Sequence, residues 1–154
     1  MFTRIMSAAI VGMDVIPVQV EADVSDGLPH FTMVGFVSSQ VKEAGDRVRT
    51  ALKNIGSAFP PKRITINLSP ADVPKSGSGF DLPVALGMLA AMEIFSPESL
   101  TGIMAVGELS LSGEINPVAG ILPSAMKARE IGVSTMLVPR ANLGEARLVD
   151  GLTT

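Results

Sequence analysis

Residues 63–91 read RITINLSPADVPKSGSGFDLPVALGMLAA, and the hydrophobic period changes within this stretch. Apolar residues alternate with polar ones from Arg63 to Leu68, which predicts a strand with one buried face. Residues 69–80 are rich in Ser, Pro and Gly and predict a loop. The apolar segment Asp81–Phe95 follows, and its small side chains are typical of a closely packed helix. The stretch therefore predicts a strand, a loop and a core helix in succession.

Upstream of this stretch, three segments predict further strands. Apolar residues occupy every second position from Ile16 to Val24, the period of a half-buried strand. Residues 3–11 and Phe31–Phe36 are also apolar and lie on either side of it. The turn residues after Val24 suggest that the chain reverses there, so we expect these three strands to form an antiparallel meander.

A helix is predicted from Ser39 to Asn54, because its apolar residues recur at spacings of three and four. Ser38 or Ser39 can cap its start, and Gly56 suits a left-handed exit.

The C-terminal third of the sequence predicts both strands and helices. In chain order they are a hairpin of Ile103–Leu109 with Leu111–Ile115, a helix Ile121–Ile131 that ends at Gly132, a strand Thr135–Val138 and a short helix Arg140–Val149. The element order predicts one α/β (α+β) domain over residues 1–154, a mixed sheet with helices packed on it.

Composition excludes several classes of function. The chain has 154 residues, 47% of them hydrophobic, and no cysteine, which excludes disulfides and thiolate metal sites. The net charge of −3 does not favour nucleic acid as a partner. The absence of Trp and Tyr also removes the usual stacking residues for single strands and leaves only six Phe. No apolar run reaches membrane-spanning length, and the start does not resemble a secretory signal. We expect a cytoplasmic protein that makes no membrane contact and holds no metal.

The loop SPADVPKSGSGFD, residues 69–81, is the leading candidate for an interaction site. Glycines before a helix can cradle phosphate, but there is no Walker A pattern, and Asp81 would repel an anion. We expect Asp81 to be the helix N-cap, accepting from the N–H of Val84 or a neighbour. Ser76 and Ser78 are candidate nucleophiles beside Lys75, but an exposed lysine stays protonated and is a poor base.

Two other groups of side chains are candidates for function. The single histidine, His30, lies in a turn and is expected at the surface, which leaves a Ser-His-Asp triad without support. The basic residues Arg47, Arg49 and Lys53 lie on the predicted helix and are candidates for a nucleic-acid contact, although acidic residues interrupt them.

Three stretches carry a resemblance to a known family. GLPHFTMVGF at 27–36, the stretch 63–91 and GELSLSGEINPVAGILP at 107–123 resemble the N-terminal domain of magnesium-chelatase-like AAA+ ATPases, a family that includes the bacterial competence protein M group. The resemblance implies a downstream AAA+ motor that binds ATP and Mg²⁺, whereas this domain needs no cofactor. It implies as partners the motor, the sister subunits of a hexamer and, in the whole protein, DNA during branch migration in recombination and natural transformation.

The same domain is similar to the proteolytic domain of Lon proteases, a fold shared with a ribosomal protein (domain 2-type) and some sugar kinases. Alignment of the Lon serine motif with residues 74–79 places the serine at Gly79, and the Lon lysine falls on Leu122. A glycine offers no nucleophile and a leucine no base. A displaced dyad, such as Ser78 with Lys127, is an open alternative.

The resemblance therefore implies a non-catalytic accessory domain that supports ring assembly or engages DNA or a protein partner. A Lon-like Ser/Lys peptidase and a phosphate- or nucleotide-binding module through residues 76–79 remain alternatives at this stage.

Overall fold

A computed structural model describes residues 1–154 and has a six-stranded mixed sheet at its centre. Its strands are β1 (Phe2–Val11), β2 (Asp14–Ser25), β3 (His30–Val34), β4 (Arg63–Ser69), β5 (Ile103–Ala105) and β8 (Thr135–Leu137), in the order β3-β4-β2-β1-β5-β8. A separate hairpin consists of β6 (Glu108–Leu109) and β7 (Ile115–Asn116). The helices are α1 (Ser39–Lys42), α2 (Ala44–Asn54), α3 (Asp81–Ala91), α4 (Ile121–Glu130) and α5 (Leu143–Ala146). The predicted α/β class is confirmed.

The first two strands form the long hairpin that their alternating sequences favour. They are antiparallel, and the pairing runs from Phe2 with Asp23 to Val11 with Asp14. Alternate residues of β2, such as Val18, Val20 and Ala22, are fully buried. A register shift by one residue would expose this set, so the hydrophobic pattern fixes the pairing.

The predicted three-stranded meander is wrong in its third strand. β3 does not pair with β2, because β4 lies between them, antiparallel to β2 and parallel to β3. The chain between β3 and β4 contains α1 and α2, and a crossover of this kind is what parallel neighbours require. Central placement gives β4 hydrogen-bond partners on both edges and leaves β3 at the edge of the sheet.

Helices cover both faces of the sheet. Ile5 and Ala9 of β1 belong to a core cluster that contains residues of α2 and α3, whereas Met6 and Ala8 pack against a smaller cluster with residues of α4 and α5. Since successive strand residues point to opposite faces, the two clusters lie on opposite sides. Apart from Asp81 at its start, the α3 helix is apolar all round, as its central position requires.

Helix boundaries follow the local signals closely, with two corrections. The Ser38 hydroxyl accepts from the N–H of Val41 at 3.1 Å, and Gly56 has a φ of 90°, so both predicted ends of the 39–54 segment are confirmed. The segment is nevertheless two helices, which a turn at Glu43 separates. The α3 helix ends at Ala91 instead of Phe95, because the following chain turns through a left-handed residue.

The C-terminal elements follow the predicted order but differ at the last helix and at the hairpin. The predicted helix Arg140–Val149 consists of a 3-10 turn at Arg140–Asn142 and the four-residue α5. The predicted first strand of the hairpin is divided, since β5 joins the main sheet and only Glu108–Leu109 pairs with β7, which is Ile115–Asn116 instead of Leu111–Ile115. The division falls at Gly107, whose N–H donates to the Gly79 carbonyl and whose carbonyl accepts from the N–H of Leu82. These two hydrogen bonds attach the hairpin to the glycine-rich loop of residues 69–80 and to the start of α3. No helix in the structure combines the length and hydropathy that a membrane crossing would need.

Candidate functional site

The glycine-rich loop lies on one wall of a cleft of about 380 Å³. The loop contributes residues 76–80, the end of β1 contributes Ala8–Ile10, and the opposite wall includes residues 117–119 and Ser124 of α4. The loop is thus an accessible surface between β4 and α3, as its composition predicts.

Lys75 does not have the exposed position that its loop suggests. The residue is 1% exposed, and its Nζ donates hydrogen bonds to the carbonyls of Gly35 and Pro70. Burial lowers the pKa of the Lys75 ammonium group, and the nearby Asp72 carboxylate opposes that shift. The two carbonyls tie the loop to the segment after β3, and the side chain does not line the cleft with Ser76 and Ser78. The prediction that Lys75 is exposed is therefore wrong, since the side chain is buried and connects the loop to the segment after β3.

Asp81 is also buried, and its predicted role as a helix cap is wrong. Phe80 is the N-cap of α3, and its backbone carbonyl accepts from the N–H of Val84. The Asp81 carboxylate instead accepts from Nε and Nη2 of Arg47, at 2.7 and 3.0 Å, and from the N–H of Leu109 at 3.0 Å. The local sequence signal fits a cap, but two distant donors bind the oxygens.

The pKa of Asp81 reflects competing influences. Burial is the largest influence and leaves the pKa of Asp81 raised, although the hydrogen bonds from Arg47 and from the Leu109 N–H oppose this shift. The hydrogen bond to Asp81 raises the pKa of Arg47 above its ordinary value. The bidentate geometry is that of a guanidinium with a carboxylate, so the pair links α2, α3 and β6 through two charged groups.

The two loop serines differ in their surroundings. Ser76 is exposed, whereas Ser78 is partly buried. The Ser78 hydroxyl and the Asn116 amide, which donates to the Glu108 carboxylate at 3.2 Å, both lower the pKa of Glu108. The carboxylate that Ser78 influences therefore has a lowered pKa and is a weak proton acceptor. Sequence reasoning missed this neighbour, because Glu108 belongs to a hairpin distant in the chain.

The positions aligned with the Lon dyad differ in environment. Gly79 lines the cleft, and a Cβ atom placed on it would lie 3.0 Å from Cγ1 of Val106. Leu122 packs against the smaller core cluster and does not line that cleft. Lys127 forms an ion pair with Glu130 at 3.2 Å and also lies outside the cleft lining. The structure thus does not bring Lys127 into the cleft with Ser78.

The rotation of α2 places the three predicted basic residues on different sides of the helix. Residues two apart on an α-helix point about 200° apart, so Arg47 and Arg49 face opposite sides. Arg47 is paired with Asp81, whereas Arg49 and Lys53 line a different cleft together with Phe31 and Phe59. Only Arg49 and Lys53 are therefore available together. No group of three His, Cys, Asp or Glu side chains is placed to hold a metal ion.

The fold and the glycine-rich loop together define a Lon-like α/β domain. Comparison with known proteins identifies the family within this class of domain. A family model described as subunit ChlI of Mg-chelatase matches residues 20–142. The chain belongs to this magnesium-chelatase-like family.

The individual relatives of the chain are consistent with this family assignment. The chain is 44% identical over 143 residues to the uncharacterised protein YifB of Escherichia coli K12, an alignment covering 93% of this chain and 28% of the relative. It is 41% identical over 150 residues to the competence protein ComM of Haemophilus influenzae, covering 97% and 29%. It is 30% identical over 142 residues to a Lon protease of Chloroflexus aurantiacus, covering 86% and 16%. The chain thus spans less than a third of the length of the curated relatives it matches.

Proposed function

We propose that this chain is a non-catalytic N-terminal accessory domain of a magnesium-chelatase-like AAA+ ATPase that acts in the cytoplasm. In this proposal ATP and Mg²⁺ belong to a downstream motor domain, and residues 1–154 support assembly of a hexameric ring or present DNA or a protein partner to it. The whole protein would act as a DNA branch-migration helicase in recombination, a proposal that the similarity to a competence protein supports.

The observation that carries this proposal is that Lys75 and Asp81, in the glycine-rich loop, both bind other groups of the protein. Lys75 is bound to two backbone carbonyls, and Asp81 is bound to Arg47 and a backbone N–H. A nucleophilic serine needs a nearby group that accepts its proton. The loop's one amine is buried in structural hydrogen bonds, and Gly79 and Leu122 offer neither a hydroxyl nor an amine. These features support a loop that shapes a surface instead of cleaving a bond.

A deletion experiment tests the accessory role. The native protein that contains this chain is compared with the same protein lacking residues 1–154, and ring size, ATP hydrolysis and DNA binding are measured. We expect ring assembly or DNA-stimulated ATP hydrolysis to be lost and to recover partly when the 154-residue chain is added in trans. Unchanged values in all three assays after the deletion would refute the proposal.

The second candidate is a Lon-like serine peptidase, favoured by the Lon relative and by the exposed hydroxyl of Ser76 in the cleft. The chain is incubated with unfolded casein beside its Ser76→Ala and Ser78→Ala variants. The accessory role predicts no cleavage by any of the three proteins. Cleavage by the wild type that disappears in one variant would establish the peptidase instead.

A further inference from the structure

A second cleft, of about 570 Å³, opens between α2, the start of β3 and the segment 58–62. We call it the α2–β3 cleft. Its cationic residues are Arg49, Lys53 and Lys62, and its rings are those of Phe31 and Phe59. It lies on the other face of α2 from the Arg47–Asp81 pair, so it is distinct from the glycine-loop cleft.

The charge of this cleft is opposite to that of the whole chain. The protein has 15 acidic and 12 basic residues, yet no residue that lines the α2–β3 cleft is acidic. Arg49 and Lys53 are one helical turn apart and point to the same side. Lys62 is 3.4 Å from Asp26, but Asp26 is almost fully exposed, and such surface pairs hold a lysine only weakly. The cleft is therefore complementary to a ligand with several negative charges.

Arg49 is positioned by aromatic rings and not by a carboxylate. Its guanidinium carbon lies 5.6 Å from the Phe31 ring centre and 5.4 Å from that of Phe59, and the two rings are stacked at 5.8 Å with an angle of 18°. Cation–π contacts orient a guanidinium without using its N–H groups. No protein acceptor binds them in the structure, in contrast to those of Arg47, so they can bind a phosphate in bidentate fashion.

The apolar part of the cleft distinguishes between anionic ligands. An acidic peptide or inorganic phosphate would use the cationic groups alone. A single strand of nucleic acid would use both parts, since its bases stack on flat rings and guanidinium planes while its phosphates contact Lys and Arg. The Phe59 ring and the Arg49 guanidinium beside it line the cleft and are groups of this kind.

We propose that the α2–β3 cleft binds a short segment of single-stranded DNA. Arg49, Lys53 and Lys62 contact successive phosphates, and one base lies against the surface made by Phe59 and the Arg49 guanidinium. The choice of DNA over another polyanion rests on the proposed function, whereas the position of the site rests on the charges and rings of the cleft.

The test is equilibrium binding of a fluorescein-labelled oligothymidylate to the 154-residue chain, followed by anisotropy at 50 mM salt. Lys53→Glu reverses a charge in the cleft, and Lys42→Glu makes the same change at an exposed position of α1 outside it. We expect at least tenfold weaker binding for Lys53→Glu and less than twofold for Lys42→Glu. Arg49→Lys keeps the charge but loses the planar guanidinium, and we expect about fivefold weaker binding. Circular dichroism verifies that each variant is folded.

Two further measurements separate the ligand classes. Because three phosphates are contacted, the slope of log affinity against log salt should be about −2.1. Polyglutamate should displace the labelled oligothymidylate poorly in comparison with unlabelled oligothymidylate. Absent binding by the wild type, equal effects of Lys53→Glu and Lys42→Glu, or equal competition by polyglutamate would each overturn the proposal. Any of these results leaves the deletion experiment on ring assembly unaffected, so the two proposals fail separately.

Discussion

Loss of the Arg47–Asp81 pair should destabilise the fold more than any other single change of charge. Asp81→Asn keeps the shape of the side chain but turns a carboxylate that accepts three hydrogen bonds into an amide. Breaking a buried ion pair typically costs 3–5 kcal/mol, because the remaining charge stays buried without a partner. The side chain of Arg47 is 23% exposed, so water can solvate part of it, and we expect about 3 kcal/mol, at the lower end of that range. The corresponding fall in Tm is about 6–12 °C for a chain of this size.

The assay is urea denaturation followed by far-ultraviolet circular dichroism, because the chain has neither Trp nor Tyr for fluorescence. Asp46→Asn is the matched control, an exposed carboxylate on α2 beside Arg47, and it should change the free energy of unfolding by less than about 0.5 kcal/mol. The double variant Arg47→Met with Asp81→Asn should cost less than the sum of the two single changes, since they disrupt one interaction. Additive effects, or an Asp81→Asn variant as stable as the wild type, would refute the reasoning.

Two further predictions concern the segment that Lys75 holds. Because burial lowers the pKa of Lys75, the unfolded chain binds more protons between that lowered value and the ordinary lysine value of about 10.4, so wild-type stability should rise with pH across this window. Lys75→Met should abolish this alkaline rise, and urea denaturation at several pH values measures it. Gly35→Ala should cost more than about 3 kcal/mol, because the new Cβ would lie 2.2 Å from the Leu68 carbonyl oxygen at a φ of 112°. Gly12→Ala, also at positive φ but with open space around it, should cost only about 1 kcal/mol, and equal costs would contradict the steric argument.

The sequence predicts the elements whose signals are local. The period-two pattern of Ile16–Val24 and the capping hydroxyl of Ser38 each depend on residues within one strand or one turn, and both are found as predicted. The left-handed exits at Gly56 and Gly132 have φ values of 90° and 85°, in agreement with the predicted helix ends. Local chemistry determines these features, so distant contacts do not change them.

Apart from the helix boundaries at Glu43 and Ala91, the errors concern contacts between residues that are distant in the chain. The strand pattern of β3 is the same whether its neighbour is β2 or β4, so periodicity cannot select between them. Lys75 and Asp81 lie in a polar loop, and nothing local indicates that the carbonyl of Gly35 and the guanidinium of Arg47 will bind them. For the candidate site, the sequence therefore identifies the correct loop but assigns its charged groups to the wrong environment.

The geometry of α2 explains why stability and ligand binding should respond to different substitutions. Arg47 points inward and connects the helix to α3 and to the hairpin, whereas Arg49 and Lys53 point to the α2–β3 cleft. A change at Arg47 removes the partner of a buried carboxylate, so its effect appears in the free energy of unfolding. A change at Lys53 removes an exposed charge that no protein group binds, so the folded chain loses little and only an anionic ligand loses a contact. One short helix can therefore hold the glycine loop in place and present a binding surface, because its helical rotation separates the two sets of side chains.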